Sequence, residues 1–313
     1  MTAFLRPPKL DSILDGIGNT PLLRLRALEP KGVEIYAKLE FMNPGGSVKD
    51  RAARQIFLDA IACGELTKDK ILIDSTSGNT GVAYSLLGAA LGYRVTLVMP
   101  SNVTQARKDI TRAFGTEIVF SDPMEGSDGA IRHVRRIVEA DPERYYYPDQ
   151  YSNASNWRGH YLGTGAEILS DLGDKITHFV TGLGTSGTMM GVTRRLKEHT
   201  RPIVCLAMEP ADAAHGLEGL KHMDSSIVPP IYDRSLHDGT VTVDTDRGWD
   251  MSDRLVAELG LHVGHSAGAN IFAAMRLANS LSEEGKTGCV VTIACDRGDR
   301  YFAPMRWEKR YQW

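Results

Sequence analysis

Short apolar runs and amphipathic stretches alternate along most of this 313-residue chain. The runs at 33–39, 70–74, 94–99, 116–120, 177–181, 203–208 and 288–294 are rich in Val, Ile, Leu and Phe. That length and composition predict buried strands. Between them, helical spacing predicts helices over 51–63, 81–91, 104–114, 128–139, 163–172, 188–198, 253–259 and 269–281. In the 128–139 segment Ile131, Val134, Ile137 and Val138 fall on one side, the stripe of an amphipathic helix. Strand–helix alternation of this kind predicts an α/β fold with mostly parallel sheets covered by helices. The aromatic, polar link from Tyr145 to Trp157 is the best candidate boundary, read as a buried hinge. The longest irregular stretch runs from Pro210 to Gly248, and long ordered loops are often functional.

Three strand-to-helix turns carry the candidate chemistry. The first, Asn43-Pro44-Gly45-Gly46-Ser47-Val48-Lys49-Asp50-Arg51, sets Lys49 at a glycine-rich turn. A lysine drawn into a partly dry pocket can act as an amine nucleophile or base, although a solvated lysine at a helix start would read the same. The second, Ser75-Thr76-Ser77-Gly78-Asn79-Thr80-Gly81, opens a helix with Thr76, Ser77 and Thr80 as hydroxyl donors. Helix-start N–H groups lack intrahelical partners and favour negative charge, so this turn suits a carboxylate. A plain helix cap would need only one such residue.

The third turn, Gly182-Leu183-Gly184-Thr185-Ser186-Gly187-Thr188, repeats the device with glycines that admit an oxyanion close to the backbone. It also matches the G-x-G-x-x-G pattern of dinucleotide sites, with Glu209 as the acid that would bind a ribose. That rival, a nucleotide-binding dehydrogenase, is weakened on three counts. The hydroxyls at 185, 186 and 188 suit a terminal phosphate, Glu209 lies beyond the usual spacing of about 20 residues, and Lys49 and the 75–81 turn would have no task.

Composition narrows the class further. A charge of −3 and a pI near 6.3 leave no basic footprint for nucleic acid or an anionic membrane. The cysteines Cys63, Cys205, Cys289 and Cys295 are widely spaced with no Cys-x-x-Cys pair. No metal site or disulfide framework is expected, and a reducing cytoplasm fits. Neither a signal-peptide core nor a membrane-length apolar run is present in the sequence.

An amine, a carboxylate cradle and a phosphate cradle together fit pyridoxal 5′-phosphate carrying an amino acid. The chain resembles the cysteine synthase/cystathionine β-synthase family of fold type II, tryptophan-synthase-β-like enzymes. The resemblance is carried by Gly18-Asn19-Thr20-Pro21-Leu22, Ser47-Val48-Lys49-Asp50-Arg51, the 76–81 turn and Gln150 with Ser152-Asn153. Gly182 to Thr188, Ser266-Ala267-Gly268 and Asp296-Arg297-Gly298-Asp299-Arg300-Tyr301 complete it. It implies a homodimer with two three-layer α/β domains per subunit and the cofactor between them. The larger domain would comprise 1–48 and 155–313, and the smaller, mobile one 49–154.

By the same resemblance, Lys49 is the Schiff-base lysine and general base, and Gly184, Thr185, Ser186, Gly187 and Thr188 hold the phosphate. Asn79 bonds the ring hydroxyl, and Thr76, Ser77, Thr80 and Gln150 grip the substrate carboxylate. Ser266 faces the pyridine nitrogen, where a hydroxyl does not enforce ring protonation as an aspartate would. Cys295-Asp296 is a second candidate for that neighbourhood, with strand-end packing the alternative for Cys295.

The implied reaction replaces the β-substituent of an activated serine by sulfide, giving cysteine. O-acetylserine is the family's commonest donor, and serine acetyltransferase is a candidate partner. Lys221, in the 216–223 segment, matches the place where phosphoserine-using relatives carry an arginine, or is a plain loop lysine. Cystathionine synthesis from homocysteine stays open, and His265 with Arg297 bears on acceptor choice or on packing. The aromatic, basic tail 306–313 would cover the site, the dimer interface or the subunit's own surface. A non-enzymatic scaffold would require Lys49 and both cradles to be idle.

Overall fold

A computed structural model describes residues 9–76 and 78–301, with only the backbone of Ser127. Among these described residues, ten strands form two sheets. The larger has the order β1 (Leu22–Arg24), β2 (Val33–Leu39), β10 (Gly288–Ala294), β7 (His178–Gly182), β8 (Val204–Pro210) and β9 (Gly239–Val243). All its neighbours pair in parallel except β1, which runs antiparallel to β2 at the edge. The smaller sheet has the order β5 (Glu117–Ser121), β4 (Arg94–Pro100), β3 (Ile71–Ser75) and β6 (Tyr145–Tyr146), and is wholly parallel. Strands buried on both faces need continuous apolar runs; β3 is buried throughout and β10 at every position but Gly288.

Helices cover both sheets. In the larger unit, α8 (Thr245–Leu259) and α9 (His265–Glu283) bury Leu255, Ala269, Ile271 and Ala274 against Ile35, Val180 and Val290. On its other face α6 (Ala166–Leu172) and α7 (Gly187–Lys197) bury Ile168, Met189 and Leu196 against Phe179 and Val291. Around the smaller sheet, α1 (Lys49–Ala62) and α2 (Asn79–Leu91) contribute Ile56, Phe57, Tyr84 and Leu87 to a core that also takes Leu14 and Ile17. The remaining helices of this unit are α3 (Gln105–Ala113) and α4 (Gly126–Ala140). In α4, Val134 is fully buried with Ile137 and Val138 beside it, whereas Ile131 lines the central cleft.

The strands at 33–39 and 288–294 match expectation end to end, and most other boundaries move by one or two residues. Larger differences lie in the polar segments. The 145–157 link contains β6 and the start of α5 (Ala154–Gly159). The helix expected over 163–172 begins there, passing through a π-helical turn at His160–Gly165 before α6. Glycines at 159, 163 and 165 weaken α-helical geometry, and α7 crosses so closely that a Cβ on Gly191 would sit 2.1 Å from the Trp157 carbonyl oxygen. The 210–248 stretch is not wholly irregular, because it holds β9 and the first turn of α8. Helix α9 begins at His265, four residues before the apolar stripe expected to open it.

Candidate active site

Parallel strands gather their carboxyl ends on one side, and ligands of open α/β sheets bind in the crevice beyond those ends. Here the turns after β2, β3, β7 and β10 border one cleft of about 1160 Å³. Lys49, Thr76, Asn79, Thr80, Gln150, Gly184, Thr185 and Lys221 all line it. Ser186, Gly187, Thr188 and Ser266 stand behind this lining, with Ser186, Gly187 and Ser266 buried. Ser77 and the 306–313 tail lie outside the described residues.

Lys49 is the first residue of α1, half-buried, its N–H donating to Ser47 Oγ at 3.2 Å. The preceding loop is pinned to the end of β10, since Val48 N–H donates to the Cys295 carbonyl at 2.8 Å and Ser47 bridges Asp296. Gly46 takes a left-handed φ of +78°, and a Cβ there would collide with Arg300. Behind the lysine, Asp50 accepts from Gly45 N–H at 2.5 Å. Burial pushes the Asp50 carboxyl up to about 7, against that N–H and Arg300.

Arg51 anchors the same turn from beneath. Its guanidinium forks onto Glu40 at 2.6 and 2.8 Å and onto Glu167 at 2.6 and 2.7 Å. Lys38 Nζ lies 2.9 Å from Glu167 and 2.5 Å from the Thr20 carbonyl. Bidentate, charge-assisted pairs of this kind fix geometry as well as energy. Burial alone would raise the Glu167 carboxyl, but bonding to Arg51 holds it down at about 2.

The 75–81 turn opens α2 into the cleft. Thr80 Oγ1 donates to Gln150 Oε1 at 2.9 Å, and Thr76 Oγ1 accepts from Gly78 N–H at 3.3 Å. Asn79 Nδ2 donates to Asp296 Oδ2 at 2.6 Å, while Arg300 donates to Asn79 Oδ1 and to the Gly45 carbonyl. Tyr301 donates to Asp296, and burial raises the Asp296 carboxyl. Asp296 thus stands beside Asn79. Cys295 lies between Asn270, whose Nδ2 donates to it at 3.2 Å, and the Ser266 hydroxyl, and burial pushes its thiol up to about 12.

The turn after β7 is held from several sides. Asn270 Oδ1 accepts from Gly182 N–H at 2.7 Å, and Asn156 Nδ2 donates to Thr185 Oγ1 at 3.1 Å and to the Gln150 carbonyl at 2.7 Å. A Cβ on Gly184 would lie 2.2 Å from the Gly219 carbonyl oxygen, and one on Gly187 1.9 Å from Asn156 Oδ1. Only glycine fits at either position. Ser186 is left-handed at φ +66°, a strain of order 1–3 kcal/mol that tends to cluster at ligand clamps. Its buried hydroxyl has no partner. An orphaned donor, a Cβ-free cradle and the unpaired N–H groups opening α7 fit a compact phosphate.

Glu209 accepts from Met223 N–H at 2.8 Å, so its carboxylate is occupied in the loop rather than presented to the cleft. Lys221 Nζ stands 5.2 Å from the centre of the Tyr151 ring, and burial lowers its pKa. Asn156, Asn270, Glu40 and Glu167 were not singled out from sequence. The fold brings Asn156 to Thr185 and Asn270 to Gly182, and joins Glu40 to Glu167 through Arg51. Among the described residues no group of acidic, His or Cys side chains could hold a metal, and no helix is long and apolar enough to cross a membrane.

A lysine, a hydroxyl-bearing helix start and a glycine-rich turn that fits a phosphate thus border one cleft beside two mostly parallel sheets, the arrangement of an α/β enzyme that takes a phosphate-bearing cofactor. The family model described as pyridoxal-phosphate dependent enzyme matches residues 13–296, and the chain belongs to that family. It has fold type II, with pyridoxal phosphate as its cofactor. The chain is 46% identical over 295 residues to a cysteine synthase of Aquifex aeolicus, covering 93% of this chain and 90% of that protein. It is 36% identical to a cysteine synthase B of Salmonella typhimurium, covering 94% and 95%. The crystal structure of a cysteine synthase from Entamoeba histolytica superposes with a TM-score of 0.91 at 34% identity, covering 99% and 94%.

Proposed function

We propose that this protein is a cysteine synthase, replacing the acetoxy group of O-acetylserine with sulfide to give L-cysteine. The observation that carries the reading is the convergence of Lys49, the Thr76–Thr80 turn with Gln150, and the Gly184–Thr188 turn on one cleft. The cysteine synthases among its relatives support the same reaction. When bound, pyridoxal phosphate supplies an electron sink for the charge left when the substrate's α-proton departs.

The chain's residues supply the rest. Lys49 Nζ would hold the cofactor through its aldehyde carbon and, released when the substrate's amine takes its place there, would be free to take the α-proton and later return it. The amides and hydroxyls of residues 184–188 would hold the phosphate, with Asn79 for the ring hydroxyl and Ser266 for the ring nitrogen. Thr76, Ser77, Thr80 and Gln150 bind the α-carboxylate. Residues 49–154 then close as the smaller domain on 1–48 and 155–313, excluding water during the reaction. This division is supported by the separate four-stranded and six-stranded sheets. The same reading makes the protein a cytoplasmic homodimer, supported by its family and by four free cysteines, with serine acetyltransferase as a candidate partner.

Lys221 favours a second donor. A cation lining the cleft is placed to attract the phosphate of O-phosphoserine. Assays of acetylserine and phosphoserine, each with sulfide, thiosulfate and homocysteine, separate the readings. Cysteine from acetylserine and sulfide is expected as the fastest reaction. Failure of sulfide with both donors, or faster formation of cystathionine, would overturn the assignment.

A further inference from the structure

Behind the phosphate-sized turn lies a histidine that the reaction does not use. His160 is 1% exposed and opens the π-helical turn at His160–Gly165. Its Nδ1 lies 2.9 Å from Thr164 Oγ1 and its Nε2 3.4 Å from Thr188 Oγ1. Helix α7 is pressed against this turn, since a Cβ on Gly191 would sit 2.7 Å from His160 Cβ. The imidazole is therefore wedged between two threonines, one of them in the cofactor's cradle.

Burial, aided by the nearby charges of Arg51 and Lys49, holds His160 well below the ordinary histidine range, so it stays neutral. A neutral imidazole has one N–H and one lone pair. A threonine hydroxyl has a single proton to donate. A phosphate dianion only accepts. If Thr188 gives its proton to that anion, it must accept from the ring, so Nε2 carries the hydrogen. Nδ1 is then the acceptor, and Thr164 donates to it. In the opposite tautomer Thr188 would spend its proton on Nε2 and turn only lone pairs toward the anion.

We propose that His160 is a positioning residue for the cofactor phosphate: the Thr164–His160–Thr188 chain fixes the Thr188 hydroxyl as a donor to the phosphate anion. The inference rests on the cofactor reading above and adds a buried support that sequence spacing did not reveal. Residues 160 and 164 are four apart on one helical turn, so their side chains meet, and that turn is packed against α7.

The test compares two ligands on the resolved apoprotein. Pyridoxal 5′-phosphate carries both the aldehyde and the phosphate, whereas pyridoxal keeps the aldehyde for Lys49 and lacks the phosphate. His160→Leu is expected to weaken pyridoxal phosphate about tenfold, the scale of one charge-assisted hydrogen bond, with pyridoxal affinity unchanged. His160→Gln, whose amide N–H reaches the Nε2 position, is expected to recover to within about twofold. Should His160→Leu fail to fold, Thr164→Val leaves the ring in place, and a phosphate-selective loss of about threefold is expected from the freed tautomer. Equal weakening of both ligands, unchanged pyridoxal phosphate affinity, or no recovery with Gln would overturn the inference. A parent protein that binds pyridoxal but not its phosphate ester would instead overturn the cradle assignment on which the inference rests.

Discussion

The buried ion network beneath Lys49 gives the most quantitative prediction. Lys38, Glu40 and Arg51 have side chains 1%, 0% and 4% exposed, and Glu167 is 17% exposed. Glu167→Gln would leave Arg51 only the carboxylate of Glu40, which already accepts from Thr20 Oγ1 at 2.7 Å, and would leave Lys38 only the more exposed carboxylate of Asp171 at 3.7 Å. Removing one partner of such a cluster costs about 3–5 kcal/mol. The acid range gives an independent figure. A fall from the ordinary 4.5 to about 2 in the folded state corresponds to about 3 kcal/mol, taken at the low end because Glu167 is not fully enclosed. Because the folded value is depressed, this stability is complete above pH 4.5 and is lost as pH falls toward 2. Urea unfolding followed by tryptophan fluorescence would show the parent losing that increment between those limits. Glu167→Gln would be weaker by a similar amount at pH 7 and flatter in the acid range. A variant within about 1 kcal/mol of the parent at pH 7, with an unaltered acid limb, would refute the reasoning.

Gly187→Ala places a methyl 1.9 Å from Asn156 Oδ1; a loss of about 1–3 kcal/mol and weaker cofactor retention are expected by thermal melting and gel filtration with absorbance. Lys221→Ala is expected to lower the kcat/KM of phosphoserine about tenfold and to leave acetylserine within about twofold. Equal effects on both donors would remove the phosphate role. Lys49→Ala is expected to lower kcat with acetylserine by at least about a hundredfold, read in a cysteine-formation assay.

The parallel strands were legible because burial on both faces writes continuous Val, Ile and Leu runs, as in β3 and β10. Edge elements were not. Strand β9, Gly-Thr-Val-Thr-Val, is half-exposed and carries little apolar signal, and β1 and β6 are three and two residues long. The first eight residues of α8, Thr245 to Ser252, precede the helix expected from 253, and their polar Thr245-Asp246-Arg247 start hid them. In the site, residues grouped in one turn announced themselves: Lys49 among glycines, and hydroxyls at 76–80 and 185–188. What escaped was the scaffolding. Arg51 and Glu167 meet across 116 positions, Asn79 and Asp296 across 217, and His160 and Thr188 across 28. No local pattern encodes such contacts, because tertiary packing creates them.

The central claim is that one lysine among the chain's amines carries the cofactor. Borohydride reduction of the protein with pyridoxal phosphate bound, followed by proteolysis and mass spectrometry, locates the trapped group directly. The account predicts a pyridoxyl-phosphate adduct on the peptide containing Lys49, with Lys221 and Lys38 unmodified. An adduct on another lysine, or none, would contradict it.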